Sequence, residues 1–162
     1  TDAVGNTGTA SFTVTVGDPT SAGLMAGATL RGLGSEGTQV VFSAVRTTAG
    51  AAGASVLAIG RATGAAPRLF VATRIDGVGF FDDPASSPGR WPASGIDTTR
   101  VRGTGWLNGV AGHTFDLVAV DRGEPGRGRD VVTLTVRDAQ GAVVLQTGGV
   151  IDAGNVDSLP IW

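Results

Sequence analysis

Residues Val101 to Asp138 read VRGTGWLNGVAGHTFDLVAVDRGEPGRGRDVVTLTVRD, and this stretch decides the fold. From Arg100 to Leu107, the residues Val101, Gly103, Gly105 and Leu107 share one face, and Arg102, Thr104 and Trp106 share the other. That is the period-two alternation of a half-buried strand. Asn108-Gly109 tolerates positive φ at both positions and predicts a tight hairpin. A second strand, His113 to Val120, carries Phe115, Leu117 and Ala119 on one face, and a third, Asp130 to Arg137, groups Val132, Leu134 and Val136. Between them lies a glycine-rich loop, Asp121 to Arg129. Loops this short join antiparallel neighbours, so the stretch predicts a meander.

The remainder of the 162-residue chain extends the pattern. Glycine is too frequent, at 27 residues, for a helical protein, because each one inside a helix costs about 1 kcal/mol relative to alanine. Further strands are expected over Thr38 to Arg46, Ser55 to Arg61, Arg68 to Thr73, Val78 to Asp82, Ala142 to Gln146 and Val150 to Val156. No stretch has helical periodicity, and no unit repeats. The fold class is therefore all-β, expected as an antiparallel two-sheet β-sandwich.

Net charge is −2, and every basic residue is arginine, so no basic field marks a nucleic-acid partner. With no cysteine, disulfides are excluded. No apolar run approaches the roughly 18 residues of a membrane helix, so this segment is not expected to insert in a membrane.

Three domain-level pieces are expected. Residues 1–16 form a turn and one strand, with Phe12, Val14 and Val16 on one face. Residues 17–22 read as a linker, and residues 23–162 form the module proper. GLGSEG, Gly32 to Gly37, matches the dinucleotide-loop spacing, but the TQVVFSAV that follows reads as a strand where that loop needs a helix, so it is a hairpin loop.

TDAVGN followed by FTVTV, within Thr1 to Val16, resembles the closing strand of a bacterial HYR (hyalin repeat) immunoglobulin-like domain. From Gly23 to Asn155 the chain resembles a bacterial β-sandwich module of the post-COAP type. The likeness rests on GTGWLNG (Gly103 to Gly109), GHTF (Gly112 to Phe115), DRGEPGRGRD (Asp121 to Asp130) and the late GNV (Gly154 to Val156). The family pattern has an aromatic where Val132 stands and often Tyr in place of His113, departures that touch packing rather than the acidic loop. The resemblance implies a segment of a longer secreted or surface protein, with neighbouring domains and any targeting signal outside it.

Chemistry concentrates in the loop carrying Asp121, Glu124 and Asp130, with Asp116 on the strand before it. Hard cations need several oxygen ligands, and Gly123, Gly126 and Gly128 let backbone carbonyls turn inward, so calcium is the expected metal there. Ahead of that reading stands a solvated loop whose acids pair with Arg122, Arg127 and Arg129, since three arginines against three acids leave the loop neutral and argue against a strong site. Asp152, Asn155 and Asp157 form a second cluster, which would complete the first if the two ends meet.

His113 is the only histidine and no nucleophile elbow is present, so no catalytic residue is expected and the module is read as non-catalytic. Trp91, in the proline-rich Asp82 to Gly95 loop, and Trp106 are the two candidates for stacking on a sugar. The expected function is a structural or adhesive extracellular or cell-surface module whose partners are neighbouring domains, surface glycans or proteins. The rival is a carbohydrate-binding module attached to a secreted enzyme.

Overall fold

The computed structural model describes residues 22–31, 37–46, 52–60, 67–81 and 96–160. The strand expected within residues 1–16, the linker up to residue 21, most of the Gly32 to Gly37 loop and the whole of residues 82–95, with Trp91, lie outside them.

Nine strands follow in chain order: β1 (Ala22–Arg31), β2 (Gly37–Arg46), β3 (Ala52–Gly60), β4 (Arg68–Phe81), β5 (Thr98–Leu107), β6 (Val110–Val120), β7 (Val131–Arg137), β8 (Val143–Val150) and β9 (Ala153–Pro160). All belong to one antiparallel sheet of order β8-β7-β6-β5-β4-β3-β2-β1-β9. The all-β, antiparallel expectation holds. The strands of the described residues form one curled sheet, where the sequence suggested two stacked ones.

The curl has a topological cause. β8 and β9 sit at opposite ends of the strand order, yet only Ile151 and Asp152 separate them in sequence. Two residues span at most a few ångströms each, so the two edges must meet at that corner. β1 accordingly approaches β8 across the curl.

The concave face supplies the core. Val40 and Phe42 from β2, Val56 from β3, Phe70 from β4, Val101 from β5, Phe115 and Leu117 from β6, Val132, Leu134 and Val136 from β7, Leu145 from β8 and Val156 from β9 are all buried in one cluster. Alternation along each strand puts these residues inward together, as the faces read from sequence require. An open sheet would leave this face in water; curling lets it cover itself.

β5 sits at the middle of the sheet and is kept thin by its glycines. A Cβ on Gly105 would stand 2.6 Å from Phe70 Cζ, and one on Gly103 would stand 2.9 Å from Phe115 Cε1 and 2.0 Å from the Arg74 carbonyl oxygen. The two rings therefore lie against bare backbone and touch each other, with centroids 5.3 Å apart and planes at 59°. Tilted pairs of this kind suit the aromatic quadrupole.

Several boundaries differ from those read in the sequence. The segments expected over Arg68 to Thr73 and from Val78 onward are one long strand, β4, as far as Phe81, with register shifts at Ala72/Arg74 and Ile75/Gly77 that absorb an extra residue each. Val150 ends β8 instead of opening the last strand, because the corner falls at residues 151–152. Ala22, placed in the linker, is the first residue of β1, a strand that the small residues of AGLMAGATLR disguised. The Asn108-Gly109 hairpin is as expected, with φ of 51° and 81°.

Phe115→Ala removes the ring at the centre of this packing and is expected to cost about 3 to 5 kcal/mol in urea unfolding, the range for large-to-small core changes. Gly103→Ala is expected to destabilise comparably although it removes nothing, since its methyl has no place to go.

Candidate functional site

The loop between β6 and β7, residues 121–130, is pinned against the corner between β8 and β9. Asp130 is its pivot. Its side chain is completely buried, and both oxygens accept backbone N–H groups: Oδ1 from Arg122 at 2.9 Å and Oδ2 from Val156 at 2.8 Å. Its own carbonyl accepts the Ile151 N–H at 2.9 Å, and Ile151 in turn accepts the Gly128 N–H at 3.0 Å. One residue thus ties its own loop, the corner and β9 together. Asp121 is also buried; its Oδ1 accepts the Gly123 N–H at 2.8 Å, an Asx-type turn that starts the loop.

The two clusters seen in the sequence do meet. Asn155 on β9 donates through Nδ2 to Glu124 Oε1 at 2.6 Å and to Asp157 Oδ1 at 2.7 Å. Its Oδ1 is buried without a hydrogen-bond partner. Gly126 makes the approach feasible: a Cβ there would stand 1.9 Å from Asn155 Oδ1 and 2.0 Å from Asp130 Oδ2. Asp152 is an exposed residue of the corner.

Four carboxylates therefore share one end of the sheet. Burial pushes the Asp130 carboxyl above its ordinary range, against the two backbone N–H groups that favour its charge, and Asp121 and Glu124 push it further. Burial also raises Asp157, with hydrogen bonding to Glu124 and the charges of Glu124 and Asp121 adding to it. Arg129 reaches the backbone carbonyl of Glu124, at 3.0 Å, and not its carboxylate. Among the described residues, no group of three or more His, Cys, Asp or Glu side chains is arranged to hold a metal ion. Enclosing one would require Glu124 and Asp157 to close on the point that Asn155 Nδ2 occupies.

The other candidates lie elsewhere. Trp106 projects from the convex face of β5 and is 51% exposed, in register with Val71. His113 is partly buried, with Nδ1 3.0 Å from the Val110 carbonyl oxygen. Asp116 pairs with Arg100 and Arg102 on the convex face, away from the loop it precedes in sequence.

Sequence reading missed Asp97, which is buried just before β5 and whose carbonyl accepts the Asp121 N–H at 2.8 Å. Its signal was an aspartate directly ahead of a strand, a place where a carboxylate can bond the chain beside it, as Asp97 Oδ1 does with Thr98 Oγ1 at 2.7 Å.

Comparison with protein-family models, with curated proteins and with solved structures gives no match.

Two tests follow from the loop. Asp130→Ala strands two backbone donors, each worth about 1 to 3 kcal/mol when left unmet, so a loss of about 2 to 4 kcal/mol is expected in denaturant unfolding. For pH, a carboxyl raised in the folded state contributes stability that is complete below its ordinary value of 3.8 and is lost as pH rises through the raised value. Asp157→Asn keeps an acceptor for Asn155 and removes the charge. It should melt above wild type at neutral pH, the gap closing as pH falls toward 3.8.

Proposed function

We propose that this chain is a non-catalytic structural or adhesive module of the β-sandwich type in a secreted or cell-surface protein, and that calcium holds its closing loop. The observation that carries this reading is the convergence of Glu124 and Asp157 on one amide nitrogen, with the oxygen of that same amide buried and unpartnered. An amide is a weak stand-in for positive charge between two carboxylates. A hard cation supplies that charge directly and takes oxygens from carboxylates and amides alike. Asp121, Glu124 and Asp130 would hold it from the loop, with Asn155 and Asp157 completing the set from β9.

In such a module the metal does no chemistry. It fixes the corner where the two sheet edges meet, and so transmits stiffness toward whatever domain adjoins. Its partners would be those neighbouring domains and, at the outer surface, glycans or proteins.

The test is a thermal melt of the whole chain with and without calcium. Extracellular calcium modules bind with dissociation constants of about 0.1 to 1 mM. Millimolar calcium should then add about 0.4 to 1.4 kcal/mol, and the gain should grow with pH as the carboxyls lose their protons. Glu124→Gln removes a charge that presses on Asp130 and Asp157, so it should raise the calcium-free melt at neutral pH, as Asp157→Asn does, and abolish the calcium shift. A wild-type melting temperature unmoved by several equivalents of calcium above this range would remove the metal from the reading.

A second reading rests on Trp106. Its ring stands half-exposed beside Val71 on a sheet face that also exposes Val41 and Leu57 in register with it, a flat apolar row on which a sugar ring could stack. On this view the chain is a carbohydrate-binding module. Trp106→Ala would abolish retardation in gels containing a neutral polysaccharide; equal migration of both proteins with and without the polysaccharide would exclude it.

A further inference from the structure

On the convex face of β4 and β5, Gly77 lies in register with Arg102 and Gly79 with Arg100. With Val78 and Phe81, these residues enclose an open cavity of about 220 Å³. The two glycines differ in kind. A Cβ on Gly79 would stand 2.6 Å from Phe81 Cζ, so this glycine makes room for the ring that forms one wall. A Cβ on Gly77 would meet nothing within 4 Å, and its φ lies outside the left-handed region.

Neither packing nor backbone conformation thus asks for glycine at position 77. The neighbouring register shift takes up its extra residue at Asp76, before it. A glycine within a strand weakens the strand and marks either a bulge or a close approach by something else. Here the open floor of a cavity is what its missing side chain creates.

The rim of the cavity is cationic. Arg100 donates Nε to Asp116 Oδ1 at 2.8 Å and also bonds Oδ2, while Arg102 Nε lies 3.6 Å from that same Oδ2. Two guanidinium groups share one carboxylate, leaving one positive charge, and the Arg102 side chain is 56% exposed. A guanidinium presents a planar fork matched to a carboxylate. The cavity is smaller than the roughly 300 to 1,000 Å³ of sites for drug-sized ligands, which limits the occupant to about one ring.

We propose that this cavity binds a single six-membered ring bearing a carboxylate. The ring rests on the bare backbone of Gly77 against Phe81, and its carboxylate faces Arg102. Two sources carry that chemistry: a uronic acid unit of an acidic glycan, or an aromatic acid. No residue of the cavity belongs to the 121–130 loop, so the outcome is independent of calcium.

The experiment is an amide nitrogen–proton NMR titration of the whole chain with glucuronate, benzoate and glucose. Saturable shifts at Gly77 and Gly79 are expected from a carboxylated ring, with a millimolar Kd, and none from glucose. Glucuronate alone shifting them identifies the glycan source, and benzoate alone the aromatic one. The Cβ that Gly77→Val adds meets no neighbour within 4 Å, so the substitution should erase the shifts without lowering the melting temperature. Arg102→Gln should weaken binding about tenfold, through loss of one charge-assisted contact. Saturable shifts from neither acid, equal shifts from glucose, or shifts that survive in Gly77→Val would overturn the proposal.

Discussion

A buried carboxylate with both oxygens committed to backbone N–H groups joins the two ends of this sheet. Asp130 follows directly on the loop that leaves β6, and it reaches Val156 on β9, which sits at the far end of the strand order from β8. Without that reach, the loop would keep its Ile151 bonds to the corner and the exposed Asn155–Glu124 bond to β9, and would lose its buried tie. Burying a charge is costly unless it is paired or hydrogen-bonded, and Asp130 keeps part of that cost as a raised carboxyl. The cost is tolerated because a curled sheet needs something at its seam, and hydrophobic contact alone does not choose which strand meets which.

The curl in turn depends on β5 being thin. Phe70 and Phe115 meet over Gly103 and Gly105, which lets two of the core's phenylalanines lie directly on the strand backbone. Larger side chains on β5 would push the rings away from the strand and flatten the sheet. The seam would then open, and Asp130 would lose Val156. The glycines of β5 and the carboxylate of Asp130 are two ends of one constraint, although 24 residues or more lie between them in sequence.

Much of this was readable from residue order. The alternation of Val101, Phe115, Leu117, Val132 and Leu134 identified inward faces that are indeed buried, because side-chain period in a strand is fixed by the backbone. The number of sheets was not readable. Period two says which face is covered but not what covers it, and a face that curls onto itself has the same pattern as one packed on a second sheet. β1 escaped notice for a related reason: its alanines and glycines carry little contrast between faces. At the loop, the sequence named Asp121, Glu124 and Asp130, with Asp152, Asn155 and Asp157 as a second cluster to complete it if the two ends met; Asn155 and Asp157 are the members that the hydrogen bonds join to the loop. The orientation of each carboxylate was out of reach, because it depends on which backbone N–H groups the seam leaves unpaired.

That orientation bears on what the cluster can do. A carboxylate oxygen carries two lone pairs, so an oxygen that accepts one N–H can still face a cation with the other. Asp130 and Asp121 are held by the backbone and would not have to be ordered on binding. Glu124 and Asp157 are exposed, and they are tied to each other and through the Asn155 amide. Two acids of the seam are therefore fixed by the backbone, and two lie at its surface. Arg129, spent on the Glu124 carbonyl, braces the loop without neutralising that carboxylate. Burial, and with it the neighbouring carboxylates at the seam, holds the Asp130 and Asp157 carboxyls above their ordinary range.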